Sequence, residues 1–314
     1  MSDTLLDPAK FRDPLVTAKG EKRAHVAFNG LETLWVNTGT LCNIECVNCY
    51  IESSPTNDRL VYLTATELQP YLAEARDMGA REIGFTGGEP FMNPDMGQML
   101  EDALAAGFEV LVLTNAMKPM MRPAVQEYLL KLLATYGEKL TLRVSLDHYA
   151  APLHDEERGA GSFESACTGL RWLARHGFKL SIAGRTCWGE DEAAARPRYE
   201  TLLRDLGVVL DVTDPGQLVL FPEMDETADV AEITVDCWDI LKVDPAAMMC
   251  ASQRMLVKRK GAAKPVVLPC TLLAYDEAFE MGSTLKGATG GVSLNHPHCA
   301  KFCVLGGGSC TADQ

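Results

Sequence analysis

No run of apolar residues in this chain reaches the roughly eighteen needed to cross a bilayer. The stretch from Met1 to Lys22 mixes Asp, Lys, Arg and Pro and lacks the apolar segment of a signal peptide. Both absences exclude the simplest routes to a membrane, and a cytosolic location is expected. Basic residues are scarce as well: 29 Lys and Arg stand against 43 Asp and Glu, for a formal net charge of −14. Binding to DNA or RNA relies on Lys and Arg releasing counterions from phosphates, so this balance disfavours a nucleic-acid partner. The one short basic run, Lys258-Arg259-Lys260, reads as a solvated turn. Internal repeats and low-complexity segments are absent too.

What is present suits a globular chain. Its 314 residues, 47% of them hydrophobic, can fill the core of one large α/β domain with a smaller appendage. From about Leu34 to Leu220, short β-branched or aromatic runs alternate with longer amphipathic stretches, the pattern of repeated βα units on a parallel sheet. The runs predict strands over Leu34–Asn37, Glu82–Thr86, Glu109–Thr114, Leu140–Leu146, Lys179–Thr186 and Gln217–Phe221. Helices are predicted over Thr64–Met78, Asp95–Ala106, Pro123–Tyr136, Ser162–His176 and Arg196–Leu206. The first helix opens on Thr64-Ala65-Thr66-Glu67, a capping box, and Gly79 is placed to end it. Six such units imply a partial (β/α)6 barrel, with its chemistry at the C-terminal ends of the strands. Beyond Asp225 the rhythm fades; a short helix near Val230–Leu241 is expected to close the barrel, and the tail from Met248 is rich in Cys, Gly and Pro. The division expected is an N-terminal segment (1–30), a barrel (31–228) and a small cysteine-rich C-terminal extension (229–314).

Eleven cysteines are many for a chain without an export signal, and a reducing compartment makes metal ligation a better use for them than disulfides. Three of them, in Cys42-Asn43-Ile44-Glu45-Cys46-Val47-Asn48-Cys49-Tyr50, fall on one loop just after the first strand. Thiolates at this spacing can reach three corners of an iron–sulfur cube and leave the fourth iron open. A structural zinc site would be closed by four protein ligands, but spacing alone leaves zinc as an alternative.

The loop resembles the CxxxCxxC signature of the radical S-adenosylmethionine (SAM) superfamily, and Phe85-Thr86-Gly87-Gly88-Glu89-Pro90 resembles that family's GGEP motif. The resemblance implies a [4Fe–4S] cluster on Cys42, Cys46 and Cys49 whose open iron is chelated by the amino and carboxylate groups of SAM. It implies that Gly87, Gly88, Glu89 and Pro90 meet the amino group, with glycine letting the ligand approach closely. Weaker matches are Thr114-Asn115-Ala116, where Ala stands in place of the family's Gly, and Arg143-Val144-Ser145-Leu146-Asp147. By resemblance Ser145 lies near the SAM ribose or carboxylate, Asp147 faces substrate, and Arg185 can pair with the SAM carboxylate. Each is equally readable as a strand-end residue satisfying a turn or salt bridge. The residue before the third cysteine is often aromatic in the family and here is Asn48, with Tyr50 after the cysteine as a cofactor contact.

The tail carries Cys250, Val266-Val267-Leu268-Pro269-Cys270, and Cys299, Cys303 and Cys310. This layout resembles the twitch or SPASM-type extensions of the superfamily and implies an auxiliary [4Fe–4S] cluster held by four of these five. Buried thiols or a zinc site using His296 or His298 are the other readings. Cys167, Cys187 and Cys237 are expected in the core.

The function implied is reductive cleavage of SAM to a 5′-deoxyadenosyl radical that abstracts hydrogen from substrate, in a radical SAM oxidoreductase supplied by an external one-electron reductant such as flavodoxin or ferredoxin. Residues 1–30 are too short for a leader-peptide-binding domain, so small-molecule and peptide substrates rank alike. Asp147, His148, Glu223 and the region around Trp188 are candidate substrate contacts. The competing class is a non-catalytic zinc or iron–sulfur binding protein.

Overall fold

The computed structural model describes residues 5–222 and 225–307. In chain order the elements are β1 (His25–Val26), β2 (Thr33–Asn37), α1 (Ala65–Asp77), β3 (Glu82–Thr86), α2 (Met96–Ala105), β4 (Glu109–Thr114), α3 (Pro123–Tyr136) and β5 (Leu140–Ser145). They continue with α4 (Ala151–Arg158), α5 (Ser162–Arg175), β6 (Lys179–Arg185), α6 (Glu192–Asp205), β7 (Leu218–Phe221), α7 (Cys237–Leu241), α8 (Met249–Ser252), β8 (Gln253–Val257), β9 (Val266–Leu268) and β10 (Val292–Ser293). The eight-stranded sheet runs β7-β6-β5-β4-β3-β2-β8-β9. From β7 through β8 every pairing is parallel, and β9 is antiparallel.

All six predicted strands are present and adjacent in chain order, which makes β2 to β7 a (β/α)6 partial barrel. Their Val, Ile and Leu content suits strands covered on both faces. One face, with Leu34, Val36, Ile83, Val110, Leu142 and Ile182, packs on the helices. The other, with Trp35, Leu111, Met255 and Val257, packs on the N-terminal segment and the C-terminal extension. The capping box forms as predicted: Thr64 accepts from the Glu67 N–H while the Glu67 side chain accepts from the Thr64 N–H, an end worth about 1 kcal/mol.

The structure corrects several expectations. The helix expected over Val230–Leu241 is only α7, because Ile233 and Val235 instead bond in extended form to Ala24 and Lys22. No closure follows; among the described residues β7 and β9 remain unpaired with one another, and β8 adds beside β2 at the other edge. Helix α6 starts at Glu192, four residues early, where Asp191 caps the Ala193 N–H. Helix α4 was not anticipated. Cys167 is buried as expected, but Cys187 lies half-buried in the turn after β6 and Cys237 half-buried at the start of α7.

Candidate active site

The loop after β2 is laced to the loop after β3 by backbone bonds: Thr38 N–H to Thr86 O, Gly88 N–H to Gly39 O and Glu89 N–H to Leu41 O. This explains the glycines differently from ligand approach. A Cβ on Gly87, at φ +143°, would lie 2.5 Å from Gly39 O, and one on Gly88 would lie 2.3 Å from Leu41 O. The chain's own backbone fills that space. Gly88→Ala is therefore expected to push Leu41, and with it Cys42, out of place. A loss of about 1–3 kcal/mol, the usual cost of overpacking, should appear in denaturant unfolding together with reduced iron retention.

Beyond Leu41 the cysteine loop is pinned at both ends. Cys42 N–H bonds to Ser54 O, and the Val47 N–H bonds to Glu157 O at 2.9 Å. The Glu157 carboxylate takes the Asn48 N–H at 2.9 Å and its side-chain amide at 2.8 Å. Asn48, which departs from the aromatic type, thus anchors the loop to α4. Cys49 Sγ accepts from the Ser53 N–H, and Asn115 Nδ2 lies 3.8 Å from Cys42 Sγ and 2.9 Å from Asn43 Oδ1. Ala116, in the place of the family's glycine, holds φ 55°.

Cys42, Cys46 and Cys49 open onto one cavity, of about 150 Å³, at the C-terminal ends of the strands. Tyr50, Gly87, Gly88, Asn115, Ser145, Asp147 and Arg185 join them in its wall, as do Arg158 of α4 and an apolar side formed by Phe221, Leu272 and Phe302. A larger cavity, about 800 Å³, lies at the opposite ends of the strands among Glu32, Arg81, Lys179 and Asp214. Parallel sheets bind ligands at their carboxyl ends, and the thiols are all at the smaller cavity, so the chemistry belongs there.

Two GGEP residues do not line the cavity. Pro90 opens a buried 3₁₀ turn. Glu89 is buried and turned sideways: its carboxylate accepts from the Phe91 N–H at 3.2 Å, the Thr114 hydroxyl at 2.9 Å and the Asn115 N–H at 2.8 Å, tying β3 to the end of β4. Burial pushes Glu89 up to about 7 against the pull of those donors. His148, buried outside the lining, meets Trp188 edge-on at 5.0 Å and faces Glu190 at 3.4 Å, so this pair braces two loops. Glu223 and Cys310 lie outside the described residues.

Sequence reasoning missed Arg158 and Glu157. Arg158 Nε and Nη2 donate to Asp147 at 2.6 and 2.9 Å. Burial pushes Asp147 up, but the charge and hydrogen bonds of Arg158, with the charges of Arg185 and His154, together hold the carboxyl below its ordinary value. Arg185 donates to Asn48 O at 2.7 Å and stands 3.4 Å from Glu157 and 3.9 Å from Asp147. Burial likewise raises the Cys42 and Cys46 thiols to about 12 and about 11. Protonated thiols at neutral pH must release protons to ligate iron. Among the described residues the cavity wall contains no fourth cysteine and no histidine, and Asp147 is committed to Arg158. Three thiols with an open corner, beside a pinned backbone and the polar atoms of Asn115, Ser145 and Arg185, fit a three-cysteine [4Fe–4S] cluster and SAM. They do not fit a closed four-ligand site.

Comparison with known proteins agrees. Antilisterial bacteriocin subtilosin biosynthesis protein AlbA of Bacillus subtilis is 31% identical over 171 residues, 53% of this chain and 35% of AlbA. Mycofactocin maturase MftC of Mycobacterium ulcerans is 31% identical over 169 residues, 52% of this chain and 43% of MftC. The matches thus span less than half of these relatives' lengths. Streptococcus suis SuiB, solved bound to precursor peptide SuiA, superposes with a TM-score of 0.61 at 13% identity, over 83% of this chain and 64% of SuiB, which speaks for the fold. Residues 36–187 match the Radical SAM superfamily. This stretch, which includes the cysteine loop and the Gly-Gly-Glu-Pro turn, is a radical SAM domain, and such a domain implies a [4Fe–4S] cluster and SAM.

Proposed function

We propose that the chain is a radical SAM oxidoreductase that abstracts hydrogen from a peptide. The observation that carries this reading is the cavity wall of three thiols with no fourth ligand among the described residues. Cys42, Cys46 and Cys49 would hold a [4Fe–4S] cluster, which when bound and reduced would provide the one electron needed to break the C5′–S bond of SAM. The protein's part is orientation and exclusion of water. Asn115, Ser145 and Arg185 offer polar atoms on one side, while Phe221, Phe302 and Leu272 close the other with apolar surface. Supporting a peptide over a small molecule, SuiB has been solved with a precursor peptide, and AlbA and MftC are named for bacteriocin biosynthesis and maturation.

We assign the residues metal-bound at the extension to four of Cys250, Cys270, Cys299, Cys303 and Cys310, as ligands of an auxiliary cluster. Cys250, Cys270 and Cys299 share one buried region, with Cys303 packed against it. Arg254 is fully buried among them and donates to the carbonyl oxygens of Cys250, Gln253, Ala288 and Gly290. Burial pushes it down to about 10, and the neighbouring Cys250 and Cys270 pull the other way. A buried cation is costly without an anion, and a thiolate-bound cluster would provide one. An external one-electron reductant, flavodoxin or ferredoxin, and a cytoplasmic location complete the proposal.

Reconstituted protein given SAM, reductant and a digest of fully deuterated protein should form 5′-deoxyadenosine carrying deuterium. Formation of unlabelled 5′-deoxyadenosine alone, at the rate seen without peptide, would count against a peptide substrate.

A further inference from the structure

Helix α4 brings a charge to the cysteine loop that the reading above leaves without a task. Its last two residues divide the work: Glu157 grips Val47 and Asn48, and Arg158 enters the wall shared with Cys46 and Cys49. Because the helix end is fastened to the loop, the guanidinium is held beside those cysteines. Its side chain is 14% exposed and braced by Asp147 through two charge-assisted bonds. Burial of this kind leaves charge poorly screened.

We propose that Arg158, braced by Asp147, is a positioning residue that raises the reduction potential of the cluster on Cys42, Cys46 and Cys49. The proposal rests on the radical SAM reading of that loop. Potentials of such clusters follow the charge around them; a nearby cation stabilises the form that has gained an electron. Arg158, Arg185, Asp147 and Glu157 form one group of facing charges on the α4 side of the loop. Arg158 shares the cavity wall with Cys46 and Cys49, and its two bonds to Asp147 fix the guanidinium there. Removing Arg158 leaves that group with an excess negative charge, and neutralising Asp147 leaves it with an excess positive charge.

Redox titration of the full chain, following the electron paramagnetic resonance signal that changes on adding SAM, tests this. Arg158→Gln is expected to disfavour reduction about tenfold, a shift of about 59 mV downward for a one-electron couple. Asp147→Asn should shift the potential upward, and Arg158→Lys should stay near the wild-type value. Opposite shifts would not come from a merely structural pair. If Arg158→Gln fails to bind iron, Asp147→Asn decides alone: an unmoved or lowered potential overturns the proposal. Wild-type protein with no SAM-responsive signal would instead contradict the reading on which it rests.

Discussion

Replacing Cys42, Cys46 and Cys49 together by alanine is expected to abolish SAM cleavage and to remove about four iron atoms per chain, those of one cubane. About four more should remain if the extension holds its own cluster. The thiols come from one loop whose backbone is pinned to Ser54 at one end and to Glu157 at the other. The scaffold therefore does not depend on the metal for its local shape, and the triple variant should keep its circular dichroism and unfolding midpoint within a narrow margin. Anaerobic iron and sulfide analysis, run beside a chromatographic assay for 5′-deoxyadenosine, reads both effects. Retention of full iron in the triple variant would place every cluster in the extension and contradict the assignment of this loop. Stoichiometric zinc in place of iron would favour a non-catalytic metal protein.

Stability is expected to fall as pH rises toward neutrality, with Glu89 responsible. Its folded value, about 7, lies above that of an exposed glutamate. The folded state therefore binds the proton more readily than the unfolded one between the two values. Its stabilisation is complete below about pH 4.5 and is lost as pH rises through about 7, a swing of about 3 kcal/mol. Glu89→Gln should remove that slope. It should also cost about 1–3 kcal/mol at pH 5, because the amide sets a donor against one of the N–H groups of Phe91 or Asn115. Denaturant unfolding from pH 5 to 8 of both proteins isolates the residue. Parallel curves for the two would show that Glu89 does not titrate in this range.

Much of the fold was legible because parallel strands announce themselves by β-branched runs and the helices between them by caps. Thr64 and Glu67 met as the capping pattern requires, and the six strands fell within a residue or so of their predicted bounds. The cysteine loop was equally plain, since its spacing lies within one short segment. Helix α4 escaped for a physical reason: its buried residues are His154 and Glu157, so it has no apolar stripe to read. Its ends did carry a signal, Pro152 in the first turn and Gly159 after Arg158. Missing α4 meant missing Arg158, Glu157 and the use of Asn48. Strand β8 was hidden differently, for its parallel partner β2 lies more than two hundred residues earlier, a pairing that local pattern does not encode. The glycines of the GGEP turn were singled out for ligand approach, and their packing adds a second reason. Only coordinates reveal that Gly39 O and Leu41 O occupy the space a Cβ would need.

The central claim is that the open corner of this loop cleaves SAM, and anaerobic turnover of the reconstituted chain with SAM and a strong reductant tests it most directly. The account predicts 5′-deoxyadenosine and methionine in equal amounts, dependent on the reductant. Protein loaded with iron and sulfide on Cys42, Cys46 and Cys49 that leaves SAM intact would contradict it.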